Sequence, residues 1–354
     1  MTQAIKVSKM MGDKAIALLR RLELLDKKKK IKLADSNALL IPLIRAPDEY
    51  EKNLIRKQLG DVDFITSSFE ERHVRPKSLI EALENALTPS ELACLPRSFD
   101  IIGDIAIIEI PPELSKYERL IGEAIIKVHP RVKAVFSKAG PVSGLFRVRE
   151  LKHIYGEHRT VTIHKEFGCL FKVDIARTYF SPRLSTEHNR VSNQARSGEL
   201  IVDMFAGVGP FSIMIAKKVN ATVIACDINR YAIHLLNENI KLNKLKGEVY
   251  PILGDSKAIF MSCKLENMVD RVIMNLPEKA IEYLDVACKL IKPGGVVHYY
   301  AFAGGEEPIE EAVNKVKEAL SSYWRGTFSI INWRMIRAIA PKKWQVVLDI
   351  KFGN

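Results

Sequence analysis

The sequence predicts an α/β protein whose C-terminal half is a doubly wound, mostly parallel sheet of seven strands, preceded by smaller α+β units. Three observations predict it. From about residue 170 onward, strand-like and helix-like segments alternate strictly, the pattern of βα units laid into a parallel sheet with helices on both faces. A buried-strand run, Leu200 to Phe205, leads directly into a glycine turn and a helix, which leaves room for a ligand at the strand's end. The last two strands, Thr327 to Ile336 and Trp344 to Phe352, are joined by a stretch containing Pro341 that is too short for a crossover helix, so they pair antiparallel.

The elements follow in order. Ile5-Lys6-Val7 alternates like a strand, and Gly12-Asp13 starts a helix whose apolar residues Ala15, Leu18, Leu19, Leu22 and Leu25 recur at three- and four-residue steps. Leu39 to Leu43 is another strand, reached through the basic run Lys27 to Lys30. Residues 44–78 are charged and carry no sustained period, which predicts a linker or loose connection. Leu79 to Leu87 fits a helix, and Phe99 to Ile110 reads as two strands around a tight Gly103-Asp104 turn, ended by Pro111-Pro112. A helix from Glu118 to Val128 follows, then short strands around Ala134-Val135-Phe136 and Thr160 to His164. In the C-terminal half, strands are expected at 200–205, 221–228, 248–253, 270–276, 295–302, 327–336 and 344–352. Helices fall between the first six, near 211–218, 231–242, 256–262, 279–290 and 306–321.

At 354 residues the chain is too long for one comfortable core, so two or three domains are expected. With 47% hydrophobic and 27% charged residues it has the balance of a globular protein, and no apolar run reaches the roughly 18 residues of a membrane span. The segment Met1 to Lys6 lacks the order of a secretion signal, so a cytoplasmic protein is expected. Five cysteines without close spacing and eight histidines without HxxxH or HExxH pairing predict neither a disulfide framework nor a metal cluster. The net charge of +12 suits a polyanionic partner, and residues 121–190, with 13 basic against six acidic side chains, hold most of the excess.

The glycine turn, Asp203-Met204-Phe205-Ala206-Gly207-Val208-Gly209-Pro210-Phe211, is by itself shared with nicotinamide-binding folds. Its neighbours narrow the ligand. Strand two ends in Asp227-Ile228-Asn229, where a carboxylate can accept both hydroxyls of a ribose. Strand three is followed by Gly254-Asp255-Ser256, whose carboxylate suits the exocyclic amine of an adenine. Pro210 and Phe211 take the place of a third glycine, so a pyrophosphate cradle is disfavoured and an adenosine without phosphates fits better.

The DMFAGVGPF turn, the acidic end of strand two, the aspartate after strand three and the closing hairpin together resemble the class I S-adenosylmethionine-dependent methyltransferases. The resemblance implies a Rossmann-like domain with S-adenosyl-L-methionine as methyl donor and no metal. It also implies a cofactor set of His188, Phe205, Gly207, Gly209, Asp227, Ile228, Asp255, Ser256 and Asn275. Strand four ends in Ile273-Met274-Asn275-Leu276-Pro277, where amino-methylating relatives carry an Asn/Asp-Pro-Pro-aromatic motif. Leu276 and Glu278 depart from it, which favours a ring nitrogen as acceptor.

With three further stretches, Gly144 to Leu151, Thr162 to Glu166 and Tyr179 to His188, and with His298-Tyr299-Tyr300, the chain resembles the tRNA (guanine-37-N1)-methyltransferase family of archaeal and eukaryotic type. Guanine N1 carries a proton at neutral pH, so its methylation calls for a base and for a donor to the charge developing on O6. The resemblance assigns Glu187 as general base and Arg147 as the O6 stabiliser, with Tyr179 positioning the base and Asn275 and Pro277 forming the floor. His188 stands where many archaeal members have arginine. The partner implied is tRNA, with the target base flipped out of its stack. A monomer is expected. The implied domains are 1–70, a small α+β tRNA-recognition domain; 71–168, a basic α+β middle domain contributing Arg147; and 169–354, the methyltransferase domain. Two alternatives stay open: an aminocarboxypropyl transferase of wybutosine synthesis, and a non-catalytic RNA-binding protein on a methyltransferase fold.

Overall fold

The computed structural model describes residues 1–72, 75–144 and 147–354; Leu145 and Phe146 of the Gly144 to Leu151 stretch lie outside the described residues. The chain divides into two compact units, Met1–Lys77 and Ser78–Asn354, so residues 78–168 of the expected middle domain share one unit with the expected methyltransferase domain, and residues 71–77 belong to the first.

The first unit contains β1 (Thr2–Ser8), α1 (Gly12–Arg21), β2 (Lys32–Leu33), β3 (Ala38–Pro42), α2 (Glu49–Leu59) and β4 (Asp63–Ser67), its antiparallel sheet running β2-β3-β1-β4. Ala15, Leu18 and Leu19 of α1 join Ile5, Val7 and Ile41 in its core. Residues 44–78 were expected to be loose, and here the structure differs. Asp48 caps α2 by accepting the Glu51 N–H at 2.8 Å, while the Glu51 carboxylate accepts the Asp48 N–H at 2.9 Å. Only Ile55 and Leu59 among the helix's apolar residues are buried, too short a stripe to register as a period. The strand β4 then pairs with β1.

The second unit opens with α3 (Leu79–Leu83), α4 (Pro89–Ala93), β5 (Asp100–Ile102), β6 (Ile105–Ile108), α5 (Glu118–Val128), β7 (Ala134–Ser143) and β8 (Val148–Gly156). Their sheet runs β5-β6-β7-β8, with β6 and β7 parallel and α5 as the crossover. The hairpin of β9 (Val161–Glu166) and β10 (Cys169–Asp174) follows, and then α6 (Ser185–Gln194). The turn at Gly103 packs so closely on β9 that a Cβ there would meet the Ile163 carbonyl oxygen at 2.6 Å. Strands β8 and β10 and the helix α4 were not expected, and α3 stops at Leu83 instead of reaching 87.

The large sheet is built from β11 (Leu200–Asp203), α7 (Pro210–Lys218), β12 (Thr222–Asp227), α8 (Arg230–Leu242), β13 (Glu248–Leu253), α9 (Ser256–Ser262), β14 (Val269–Met274), α10 (Leu284–Leu290), β15 (Ile291–Gly304), α11 (Pro308–Tyr323), β16 (Phe328–Ala340) and β17 (Lys343–Phe352). Its order is β13-β12-β11-β14-β15-β17-β16. The first five strands are parallel, and β17 inserts antiparallel between β15 and β16, as the short connection through Pro341 requires. Chain order reverses at β11, between β12 and β14, and this switch point opens a crevice at the carboxyl ends of the strands. The hairpin of β9 and β10 is tied to the same body by Asn239 of α8, whose Oδ1 accepts the Lys172 N–H at 2.6 Å.

Candidate active site

The crevice at the switch point is a cavity of about 1200 Å³ including its open mouth. The turn after β11 forms its floor. Gly209, at φ +92°, lies against α8, where a Cβ would sit 2.3 Å from Leu236 Cδ1. Gly207, at φ +55°, faces the cavity; a Cβ there would come no nearer than 3.7 Å to its closest neighbour, the Tyr179 carbonyl oxygen.

Asp227 ends β12 and knits this turn together: Oδ2 accepts the Gly207 N–H at 2.7 Å and Oδ1 the Asn229 N–H at 2.8 Å. Burial raises its pKa against the pull of those two bonds, and its remaining lone pairs are free for a ligand's hydroxyls. Asp255 caps α9 through the Ala258 N–H at 2.9 Å and accepts the Tyr283 hydroxyl at 3.1 Å. Burial, and then that carboxylate, push the Tyr283 hydroxyl up to about 12. The Tyr283 ring stands edge-on to Phe205 at 5.0 Å. Ser256 donates to the Met204 carbonyl. Beneath the turn, fully buried Asp203 accepts the Ser212 hydroxyl at 2.7 Å through Oδ2, while Oδ1 has no hydrogen-bond partner among the described residues; burial pushes its carboxyl up to about 7.

Most residues expected at the site line this one cavity: Arg147, Tyr179, His188, Phe205, Gly207, Asp227, Ile228, Asp255, Ser256 and Asn275. Arg147, at φ +53°, places its guanidinium 5.4 Å from the Tyr179 ring centroid and 3.4 Å from Glu278; its Nε is buried and has no hydrogen-bond partner among the described residues. Three expected residues are not brought to the wall. Gly209 serves the packing of α7 on α8. Pro277 lines a separate groove with Lys342 and Lys343. Glu187, 3% exposed, is turned into the protein, where Arg190 donates to it at 2.6 to 3.0 Å and the Tyr300 hydroxyl at 2.8 Å.

Arg190 also donates to Asp349, which is bonded to His298 Nδ1 at 2.6 Å. His298 Nε2 lies 2.7 Å from Arg271, and Arg271 pairs with Glu199 at 3.0 Å. Because a guanidinium only donates, His298 accepts at Nε2 and carries its proton on Nδ1; burial lowers its pKa, in keeping with a neutral ring. Burial opposes ionisation of Asp349, but the hydrogen bonds from His298 and Arg190 hold its carboxyl far below the usual range. Sequence reasoning missed this chain of alternating charge. Its one local signal is Arg190, three residues after Glu187 on one helix face.

The turn from Asp203 to Phe211 contains no basic side chain to hold a phosphate, Gly207 leaves open space, and two carboxylates flank the cavity. These residues fit the uncharged nucleoside and the cationic sulfonium end of S-adenosyl-L-methionine. Among the described residues, no group of three His, Cys, Asp or Glu could hold a metal ion, and no helix is long and apolar enough to cross a membrane.

Sheet order, closing hairpin and pocket define a class I S-adenosyl-L-methionine-dependent methyltransferase. Sequence comparison then places the chain in the TRM5/TYW2 methyltransferase family, whose methyltransferase domain matches residues 162–324. The TYW2 N-terminal domain matches residues 79–160 and the tRNA methyltransferase 5 N-terminal domain residues 4–51. The chain is 44% identical over 352 residues, 99% of each chain, to the tRNA (guanine(37)-N(1))-methyltransferase Trm5b of Pyrococcus abyssi. Its fold matches a complex of aTrm5 with tRNALeu at TM-score 0.85, with 33% identity over 99% of both chains. It also matches Methanocaldococcus jannaschii Trm5 in complex with adenosine, at TM-score 0.64 and 33% identity over 99% of both chains.

Proposed function

We propose that the chain methylates N1 of guanine 37 in the anticodon loop of tRNA, acting as a monomer in the cytoplasm. The observation that carries this reading is likeness along 99% of the chain to a guanine-37 enzyme, joined to an arginine stacked over a tyrosine in the wall of the cofactor cavity. When bound, S-adenosyl-L-methionine supplies an electrophilic methyl group on its sulfonium. The protein does the rest. Asp227 and Asp255 hold the ribose and adenine, and the flipped guanine enters beside Tyr179 and Asn275. Arg147 donates to O6 as negative charge develops there. Glu187 takes the N1 proton as the N1–CH3 bond forms, and the sulfur keeps the electron pair of the broken bond, leaving S-adenosylhomocysteine.

Glu187 must leave Arg190 to do this. Asp349 supports that step, because it leaves the Arg190 guanidinium paired when the other carboxylate departs. The basic excess of residues 121–190, with Arg334, Arg337, Lys342 and Lys343, supplies phosphate contacts, and residues 1–70 form a further tRNA-recognition domain. Mass analysis of tRNA treated with the protein and S-adenosyl-L-methionine tests the reading. A single added methyl on guanine 37 supports it, and an added aminocarboxypropyl group overturns it.

A further inference from the structure

The hairpin of β9 and β10 contributes a buried carboxylate for which methyl transfer as described has no use. Thr162, His164 and Glu166 alternate onto one face of β9, and Glu166 is 4% exposed. Its Oε2 lies 2.9 Å from Nδ1 of His188 on α6, and its Oε1 lies 3.4 Å from Nε2 of His164 without forming a hydrogen bond. No lysine or arginine pairs with it among the described residues. His164 cannot neutralise it: His164 Nδ1 accepts the Gly103 N–H at 2.9 Å, so that ring is neutral and carries its proton on Nε2. A buried anion left without a cation is strongly disfavoured, which assigns the positive charge to His188. Burial opposes ionisation of Glu166, but the two imidazoles facing it, His188 by a hydrogen bond, keep its carboxyl below the ordinary range.

His188 itself is 1% exposed, stands edge-on to Phe211 at 4.7 Å and lines the cofactor cavity. With Nδ1 turned to Glu166, Nε2 is the ring nitrogen left over, and it has no hydrogen-bond partner among the described residues.

We infer that Glu166, steadied by His164, is a positioning residue for the methyl donor: it fixes His188 as a doubly protonated ring whose Nε2–H receives the carboxylate of the donor's amino-acid end. This rests on the cofactor reading of the cavity and is independent of which base accepts the methyl group. Glu166 acts only through His188 and touches neither substrate. Its effect is therefore confined to ligands that carry the amino-acid carboxylate.

Calorimetry with two ligands tests this: S-adenosylmethionine, and 5′-methylthioadenosine, which has the same nucleoside and no carboxylate. Glu166→Gln is expected to weaken S-adenosylmethionine about tenfold or more and to leave methylthioadenosine within about twofold. His188→Gln gives the same selective loss and serves if the first variant folds poorly. Adding His188→Arg to Glu166→Gln restores S-adenosylmethionine binding to within about threefold of wild type, because a guanidinium keeps its charge without the carboxylate. Equal weakening of both ligands, or of neither, overturns the inference. Failure of the guanine-37 reading would appear elsewhere, as missing methyl transfer with these affinities intact.

Discussion

Arg190 Nη2 lies 2.6 Å from Glu187 Oε1, and both side chains are withdrawn from solvent on consecutive turns of α6. The same guanidinium is held from its other edge by Asp349 of β17, 159 residues away. Removing Arg190 would strand two buried carboxylates. Arg190→Ala is expected to lower the unfolding free energy by about 3–5 kcal/mol, read from the denaturant midpoint. A loss below about 1 kcal/mol would show that the pair is not the anchor of this network.

Arg147 lines the cavity with its guanidinium over the Tyr179 ring, and the half-buried carboxylates Asp227 and Asp255 are the groups assigned to the nucleoside. Arg147→Ala should reduce the methyl-transfer rate about 100- to 1000-fold while S-adenosylmethionine affinity stays within about threefold. Parallel losses in rate and cofactor affinity would place Arg147 in cofactor binding instead.

Asp203 keeps its proton in the folded protein up to about pH 7, against an ordinary value of 3.8. Between these values the folded form binds the extra proton, so this contribution to stability is full below 3.8 and is lost as pH rises to about 7. Asp203→Asn keeps an acceptor for Ser212 and removes the loss. Relative to wild type the variant should gain up to about 4 kcal/mol between pH ~4 and ~7 in denaturant titrations. A difference that stays flat over that range contradicts the assignment.

Binding to tRNA through phosphate contacts releases counterions. With about six contacts, affinity should fall on the order of a thousandfold between about 50 and 200 mM salt. Affinity independent of salt would remove the polyanion argument built on residues 121–190.

The parallel sheet was legible because each of its strands is bounded by turn residues and separated by amphipathic helices. The helix Glu118–Val128 was legible because Ile121, Ala124 and Ile125 repeat at helical steps. By contrast, α2 is specified by its Asp48 and Glu51 cap and by Arg45 bonding Glu51, local polar contacts that leave almost no hydrophobic period. Strand β8 hides its alternation among Arg149, Lys152 and His153, and no position along it is fully buried. At the site, residues at strand ends were legible because a parallel sheet delivers them to one crevice. The inward turn of Glu187 was not, since it depends on Arg190, Tyr300 and Asp349, whose meeting only the closed sheet brings about.

Single-turnover methyl transfer to guanine-37 tRNA, wild type against Glu187→Gln with S-adenosylmethionine saturating, tests the central claim most directly. With Glu187 as the base, the wild type yields N1-methylguanine at position 37 and the variant does so at a rate about 100-fold or more lower, with cofactor affinity unchanged. Equal rates in the two proteins would contradict it.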